Sequence, residues 1–263
     1  MESNGFVPTI AVTPDKLPSK GKCYPDGVQI RYRGYLFGEV QQINASKGNS
    51  FIDMLKNSMA GVEVTGMQKE VITLPDAMYL SILRKLSTVG SNEFKLKYAC
   101  RHCAEINERV FTQMELQFND LEVDATSVAV TLSNGVEYVF SPLTFGDTVR
   151  LAEGKISSLK KGNLLSDRTA NYAAMCRNLT FDKAYTSLFN ISSQDDFEIL
   201  EEIDKLFRHD LKPLIGKCAK CEKENSLVLE GRDSLITPFR AGGETARDKL
   251  RLIKRPASEP VSN

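Results

Sequence analysis

Between residues 73 and 90 the apolar residues Tyr79, Ile82, Leu83 and Leu86 recur every three or four positions, the period of one helix face. Thr73 is an N-cap residue type, Pro75 suits a first helical turn, and Asp76 sits at the positive end of the helix dipole. Gly90 supplies the stop. Phe51, Ile52, Leu55 and Met59 repeat at the same spacing and predict a second helix, and Leu36 to Ala45 predicts a shorter one. From Thr144 to Leu211 the pattern is helical throughout. Its strongest segment opens at Ser193-Gln194-Asp195-Asp196 and presents Phe197, Leu200, Ile203, Leu206 and Phe207 on one face.

Elsewhere the period is two. Val28, Ile30 and Tyr32 alternate as a short strand. Phe94, Leu96 and Tyr98 alternate up to Cys100, and Val110 and Phe111 follow Cys103, which predicts a β-hairpin tipped by cysteines. Val128, Val130 and Leu132 lead into Ser133-Asn134-Gly135, and Val136, Tyr138 and Phe140 lead back. Asn-Gly favours the positive φ angles of a tight hairpin turn. Leu227, Val228 and Leu229 predict a further short strand.

The predicted class is α+β, with helical regions, β-hairpins and two cysteine pairs that join distant parts of the chain. Residues 1–27, rich in Pro, Gly, Lys and Asp, read as an extended N-terminal arm. Residues 28–240 form the α+β domain, with a helical insertion at about 144–211. Residues 241–263 are polar and read as a flexible tail. Within the arm, Leu17, Pro18, Lys20, Gly21, Tyr24 and Pro25 are candidate partner-binding residues, with Leu17, Tyr24 and Phe6 as apolar anchors. The competing reading packs the arm back on its own domain; deletion of residues 1–22 separates the two.

Composition narrows the function. The 263 residues carry 34 Lys+Arg and 34 Asp+Glu, a formal net charge of zero, which argues against broad attraction to nucleic acid or anionic membrane. No apolar run approaches the ~18 residues of a membrane span, and the polar start Met1-Glu2-Ser3-Asn4-Gly5 lacks the pattern of a secretory signal.

Four of the six cysteines form two Cys-x-x-Cys pairs, Cys100/Cys103 and Cys218/Cys221. Two thiolates at this spacing can point at one ion while nearby N–H groups support the sulfurs. Two such knuckles supply the closed tetrahedral set that zinc prefers. Zinc shared by the four is the leading expectation; disulfides and unrelated thiols are the alternatives. With no open coordination position the site is structural, and metal binding contributes directly to folding. Arg101, Lys217 and Lys220 are placed to offset the negative centre, His102 is a bystander, and His209 is a weak fifth candidate better read as a helix-end residue. The usage of cysteine suggests a reducing compartment. Cys176 reads as a small core residue.

Catalytic patterns are missing. There is no Gly-x-x-x-x-Gly-Lys phosphate loop, no Gly-x-Ser-x-Gly elbow and no His-x-Glu ahead of a cysteine pair. The carboxylate pairs Asp195-Asp196 and Glu201-Glu202 lie along a helix and read as solvated surface and dipole partners. A non-enzymatic protein is expected.

The run Leu17-Pro18-Ser19-Lys20-Gly21-Lys22-Cys23-Tyr24-Pro25, the Leu74-Pro75-Asp76 helix start and the Cys100/Cys103 knuckle together resemble the baseplate hub proteins and hub-assembly factors of T4-like tailed bacteriophages. The resemblance covers roughly residues 15–115, with weaker support from the second knuckle and Phe239. It implies a non-enzymatic role in assembling the central hub of a contractile-tail baseplate, as an assembly factor or minor component. The implied partners are hub, spike or tape-measure proteins. The implied location is the host cytoplasm during assembly, or the virion tail baseplate. No catalytic residues carry over; only the arm residues and the zinc cysteines do. The alternative is a zinc-ribbon nucleic-acid-binding accessory factor, supported by Arg240, Arg247, Lys249, Arg251, Lys254 and Arg255 in the tail. Tight, salt-sensitive DNA binding would favour it.

Overall fold

The computed structural model describes residues 8–45, 51–121, 125–159, 162–227 and 251–254. Phe6, Val228, Leu229, Phe239, Arg240, Arg247, Lys249 and Arg255 lie outside the described residues. The architecture is α+β, and its apolar residues gather in three clusters.

The first cluster is built on an antiparallel sheet of β1 (Ile10–Val12), β2 (Gln29–Tyr32) and β3 (Val62–Thr65), with β2 in the centre. Ile30 pairs with Val12 on one side and Val64 on the other. Helices α1 (Phe37–Ala45), α2 (Phe51–Ala60) and α3 (Leu74–Val89) accompany it. Ile30, Leu55, Met59, Ile72 and Leu80 are among its fully enclosed side chains. Alternation predicts only β2, because β1 is too short to show a period and β3 begins two residues after a helix ends.

α3 runs between the predicted limits. Gly90 takes φ +65° and its N–H reaches the Leu86 and Ser87 carbonyls. Its face is broader than the apolar spacing suggests. Leu80, Leu83 and Leu86 are buried, and so is Arg84. The Arg84 guanidinium donates to the carbonyls of Arg33 (2.7 Å), Asn57 (3.0 Å) and Ser58, pairs with Glu39 at 2.8 Å and lies over the Tyr35 ring. Gly61 makes room for it: a Cβ there would sit 2.2 Å from the guanidinium. Burial raises the Glu39 carboxyl, but hydrogen bonds from Arg33 and the Leu36 N–H, with the charge of Arg84, bring it down to about 2.

The second cluster belongs to two hairpins. β4 (Glu93–Ala99) and β5 (Ile106–Thr112) pair over their full length, from Glu93–Thr112 to Ala99–Ile106. β8 (Leu214–Lys217) pairs with β9 (Glu224–Leu227), so the strand predicted at Leu227 starts three residues earlier. Phe111, Leu116 and Leu214 are the core here, with Phe94, Leu96, Phe118 and Leu211 around them, and Tyr79 and Ile82 of α3 pack onto it.

The third cluster fills the insertion. The chain leaves the hairpin region and re-enters it side by side: Phe118 bridges Leu211, the Asn119 N–H donates to the Asp210 carbonyl (3.0 Å), and the Lys212 N–H donates to that of Gln117 (2.7 Å). Between these points lie β6 (Ala125–Thr131), β7 (Glu137–Phe140), α4 (Phe145–Glu153), α5 (Arg168–Met175), α6 (Phe181–Phe189) and α7 (Gln194–Leu206). The predicted insertion therefore starts too late. The β6–β7 hairpin belongs to it, since Val128, Val130, Tyr138 and Phe140 share a core with Tyr172, Leu188, Ile203 and Leu206.

Three local details depart from the sequence reading. In the β6–β7 turn Gly135 alone has positive φ (+75°), and a three-residue loop replaces a turn with both central residues left-handed. Asp196 is buried, not solvated: its carboxylate accepts from the Ser133 N–H (3.0 Å) and hydroxyl (2.5 Å), tying α7 to that turn. Phe197 faces outward and Ile199 takes its place in the core. Within the segment expected to be a flexible tail, Arg251–Lys254 forms β10, antiparallel to β6.

Candidate metal centre and the N-terminal clasp

The β4–β5 and β8–β9 hairpins bring Cys100, Cys103, Cys218 and Cys221 together, with all four sulfurs within 4.8 Å of one another. Cys100 and Cys221 sulfurs are 3.6 Å apart, as are those of Cys103 and Cys218. Four sulfurs each ~2.3 Å from one tetrahedral ion stand about 3.8 Å apart, so the arrangement fits such an ion. Two positions 121 residues apart in the sequence thus meet at one point. Neither histidine joins the group. His102 is exposed, and its backbone N–H donates to the Cys100 sulfur at 3.4 Å.

The knuckles are built alike. The Cys100 N–H donates to Glu105 O (2.8 Å) and the Ala104 N–H to Cys100 O (2.9 Å). The Cys218 N–H donates to Lys223 O and the Glu222 N–H to Cys218 O, both at 3.0 Å. Ala104 (φ +59°) and Glu222 (φ +61°), each just after the second cysteine, turn left-handed to close the loop. In both knuckles the first cysteine is buried and the second half-buried.

A pair of residues that sequence reasoning missed stands behind the sulfurs. Asn107 accepts from the Ala219 N–H, and Asn225 accepts from the Arg101 N–H, each at 2.9 Å. Each asparagine also donates to its own knuckle, Asn107 to Glu105 O and Asn225 to Lys223 O. The signal was available: both knuckles read Cys-x-x-Cys-x-x-x-Asn.

Electrostatics favour a cation here. Burial pushes the Cys100 thiol up, but the N–H groups of His102 and Cys103, with Cys221 and Asn225, outweigh it and hold it down to about 6. The Cys221 N–H is the main influence lowering Cys218. A backbone hydrogen bond at Glu105 favours the Cys103 thiolate, yet burial and the other three sulfurs push it up to about 12. Like charge opposes the last ionisation, and a bound dication removes that opposition. Of the cations expected to offset the centre, Lys220 pairs with Glu105 at 3.4 Å.

The arm residues are placed differently from the partner-binding reading. Leu17, Pro18, Ser19 and Tyr24 are buried against the chain's own first cluster. Asp76, on the first turn of α3, gathers them. Its carboxylate accepts from the Ser19 N–H (2.9 Å), the Ser19 hydroxyl (2.5 Å) and the Tyr24 hydroxyl. The Thr73 N–H donates to the Tyr24 hydroxyl at 3.1 Å, so Thr73, at the N-cap, does not cap with its own side chain. That side chain meets His209 Nε2 at 2.9 Å, while His209 Nδ1 lies 2.7 Å from Phe207 O. A carbonyl only accepts, so Nδ1 carries a proton. His209 is thus a buried link between α3 and the insertion, neither a ligand nor an exposed helix-end charge.

Lys20 and Gly21 form the tip, with Lys20 at φ +52° and Gly21 at φ +72° against Pro14. Lys20 pairs with Asp120. Of the six candidate arm residues, Pro25 alone is exposed without a place in this clasp. The Leu17 and Tyr24 side chains, the proposed anchors, are committed to this chain's own core.

A family model described as T4 bacteriophage base plate protein matches residues 7–237, spanning the clasp, both knuckles and the insertion between them. No curated protein and no solved structure matches.

Proposed function

The chain belongs to the T4 bacteriophage base plate protein family, and from that premise we propose that it is a non-enzymatic assembly factor or minor component of the baseplate hub, stapled by a structural zinc. The observation that carries the reading is the closed four-cysteine arrangement. Protein sulfur would take all four positions of a tetrahedral ion bound there, leaving no site for water or substrate. The ion's part is to hold the β8–β9 hairpin against β4–β5 and so to close the insertion at its base. Zero net charge supports protein partners over nucleic acid. Apolar side chains left exposed on the hairpins, Ile106, Val110 and Ile215, support the same view. Among the described residues no helix is long and apolar enough to cross a membrane. The proposed partners are hub, spike or tape-measure proteins, met in the host cytoplasm during assembly or in the tail baseplate.

Affinity capture of the tagged protein from infected cells at intermediate assembly times, followed by mass spectrometry, tests the proposal. Recovery of hub or tape-measure protein is the expected result. Recovery of other baseplate proteins without either would overturn the hub assignment.

A further inference from the structure

We propose that Asn107 and Asn225 are the positioning residues of the metal centre, a reciprocal clamp in which each hairpin holds the opposite knuckle in ligating geometry. The inference rests on the four-cysteine site binding an ion. Four observations carry it. Each asparagine carbonyl oxygen accepts, at 2.9 Å, the N–H of the residue after the first cysteine of the other knuckle. Each amide nitrogen donates into the carbonyl of its own loop, at 2.9 Å for Asn107 and 3.1 Å for Asn225. Asn107 Nδ2 also lies 3.6 Å from the Cys218 sulfur, the first cysteine of the opposite knuckle. Both side chains are buried, 7% and 2% exposed, so water is poorly placed to substitute.

The chemistry follows from these contacts. A knuckle's loop N–H groups must aim at its sulfurs for the thiolates to be stabilised. The crossing Asn bonds fix the first residue of each loop, and with it the direction of the first sulfur. The Asn107 amide N–H, directed at the Cys218 sulfur, helps to fix where that sulfur points. Because each bond crosses between hairpins separated by over a hundred residues, the clamp assembles the four-sulfur site, whereas each knuckle alone offers only two ligands. The quasi-twofold arrangement also gives the cysteines two roles. Cys100 and Cys218 are buried and held by the clamp; Cys103 and Cys221 are half-buried and lie outside it.

The test uses the full chain loaded with zinc, and separately with cobalt. Asn107→Ala, Asn225→Ala and Asn107→Asp are compared with wild type. Metal transfer to a chromophoric chelator gives retention, and the cobalt–thiolate absorption gives site geometry. Outer hydrogen-bonding partners of metal ligands typically change affinity by about 10–100-fold, and a loss in that range is expected for each alanine variant, with altered cobalt bands. Asn107→Asp keeps the acceptor for the Ala219 N–H but lacks the donors to the Cys218 sulfur and to Glu105 O, so it should release metal faster than wild type. That variant decides the matter if an alanine variant is insoluble. Retention within about twofold of wild type and unchanged cobalt bands in Asn107→Asp and the soluble alanine variants would overturn the clamp. Wild type that binds no metal would instead overturn the zinc reading beneath it.

Discussion

Replacing Asp76 with alanine removes one acceptor that serves three buried donors: the Ser19 N–H, the Ser19 hydroxyl and the Tyr24 hydroxyl. Asp76 and Ser19 are fully buried and Tyr24 is nearly so, so the orphaned groups cannot turn to water without opening the clasp. A buried donor left without its partner costs about 1–3 kcal/mol. The three share one carboxylate and are not independent, so a total of roughly 3–5 kcal/mol is expected, at the low end of the simple sum. For a chain of this size, at about 2 °C per kcal/mol, that corresponds to a fall in Tm of about 6–10 °C. Asp76→Asn should fall between wild type and alanine, because its amide oxygen still accepts from Ser19 and its NH2 meets Tyr24 less well. Urea and thermal melts read the loss, and limited proteolysis should cut near residues 13–25 earlier. Metal content should not change, since none of the four ligand cysteines belongs to the clasp's cluster. An Asp76→Ala protein within about 1 kcal/mol of wild type, with an equally protected arm, would refute the clasp.

Deletion of residues 1–22 should destabilise the protein heavily, because it removes Ser19 and the buried Leu17, worth about 1.5–3 kcal/mol of burial alone; a melt unchanged by deletion would restore the free-arm reading. Glu39 titrates below its ordinary range in the fold, so its contribution is full above about pH 4.5 and is lost as pH falls toward 2; Glu39→Gln should be less stable at pH 7 and show a flatter acid limb in urea melts between those values. Gly61→Ala places a methyl group 2.2 Å from the Arg84 guanidinium and should lower Tm, whereas Arg84→Met in the same background should recover part of the loss. In β8 a Cβ at Gly216 would meet the Tyr98 ring at 2.6 Å, so Gly216→Val should part the two hairpins and weaken metal retention, measured by chelator transfer.

Where the chain's signals are local, they are legible. α3 follows its own period and its Gly90 stop, and the β6–β7 hairpin follows its alternation on either side of Asn134-Gly135. The four cysteines stand out because metal-ligand spacing is a sequence property. The rest depends on partners far along the chain. Nothing near Leu17 announces that Ser19 will meet a carboxylate 57 residues later, so a Pro/Gly-rich segment reads as a free arm when it is a buried clasp. Arg84 looks like a surface residue on an apolar helix because its acceptors are backbone carbonyls, which sequence does not display. Asp196 reads as solvated for a similar reason: its partner Ser133 lies in another element. The expected insertion boundary falls where the period changes from two to helical, although the chain turns away earlier, at the Phe118–Leu211 bridge. Asn107 and Asn225 carry a readable signal, the second half of a duplicated motif whose cysteines are its more conspicuous part.

The central claim, that one metal ion closes the chain through both knuckles, is tested most directly by metal analysis of the purified full-length protein beside Cys218→Ser. The account predicts one tightly held zinc per wild-type chain, with loss of that zinc and a sharp drop in Tm in the variant, because binding and folding free energies are coupled. Wild-type protein without zinc whose four thiols titrate freely, or a Cys218→Ser variant with unchanged zinc and unchanged melting, would contradict it.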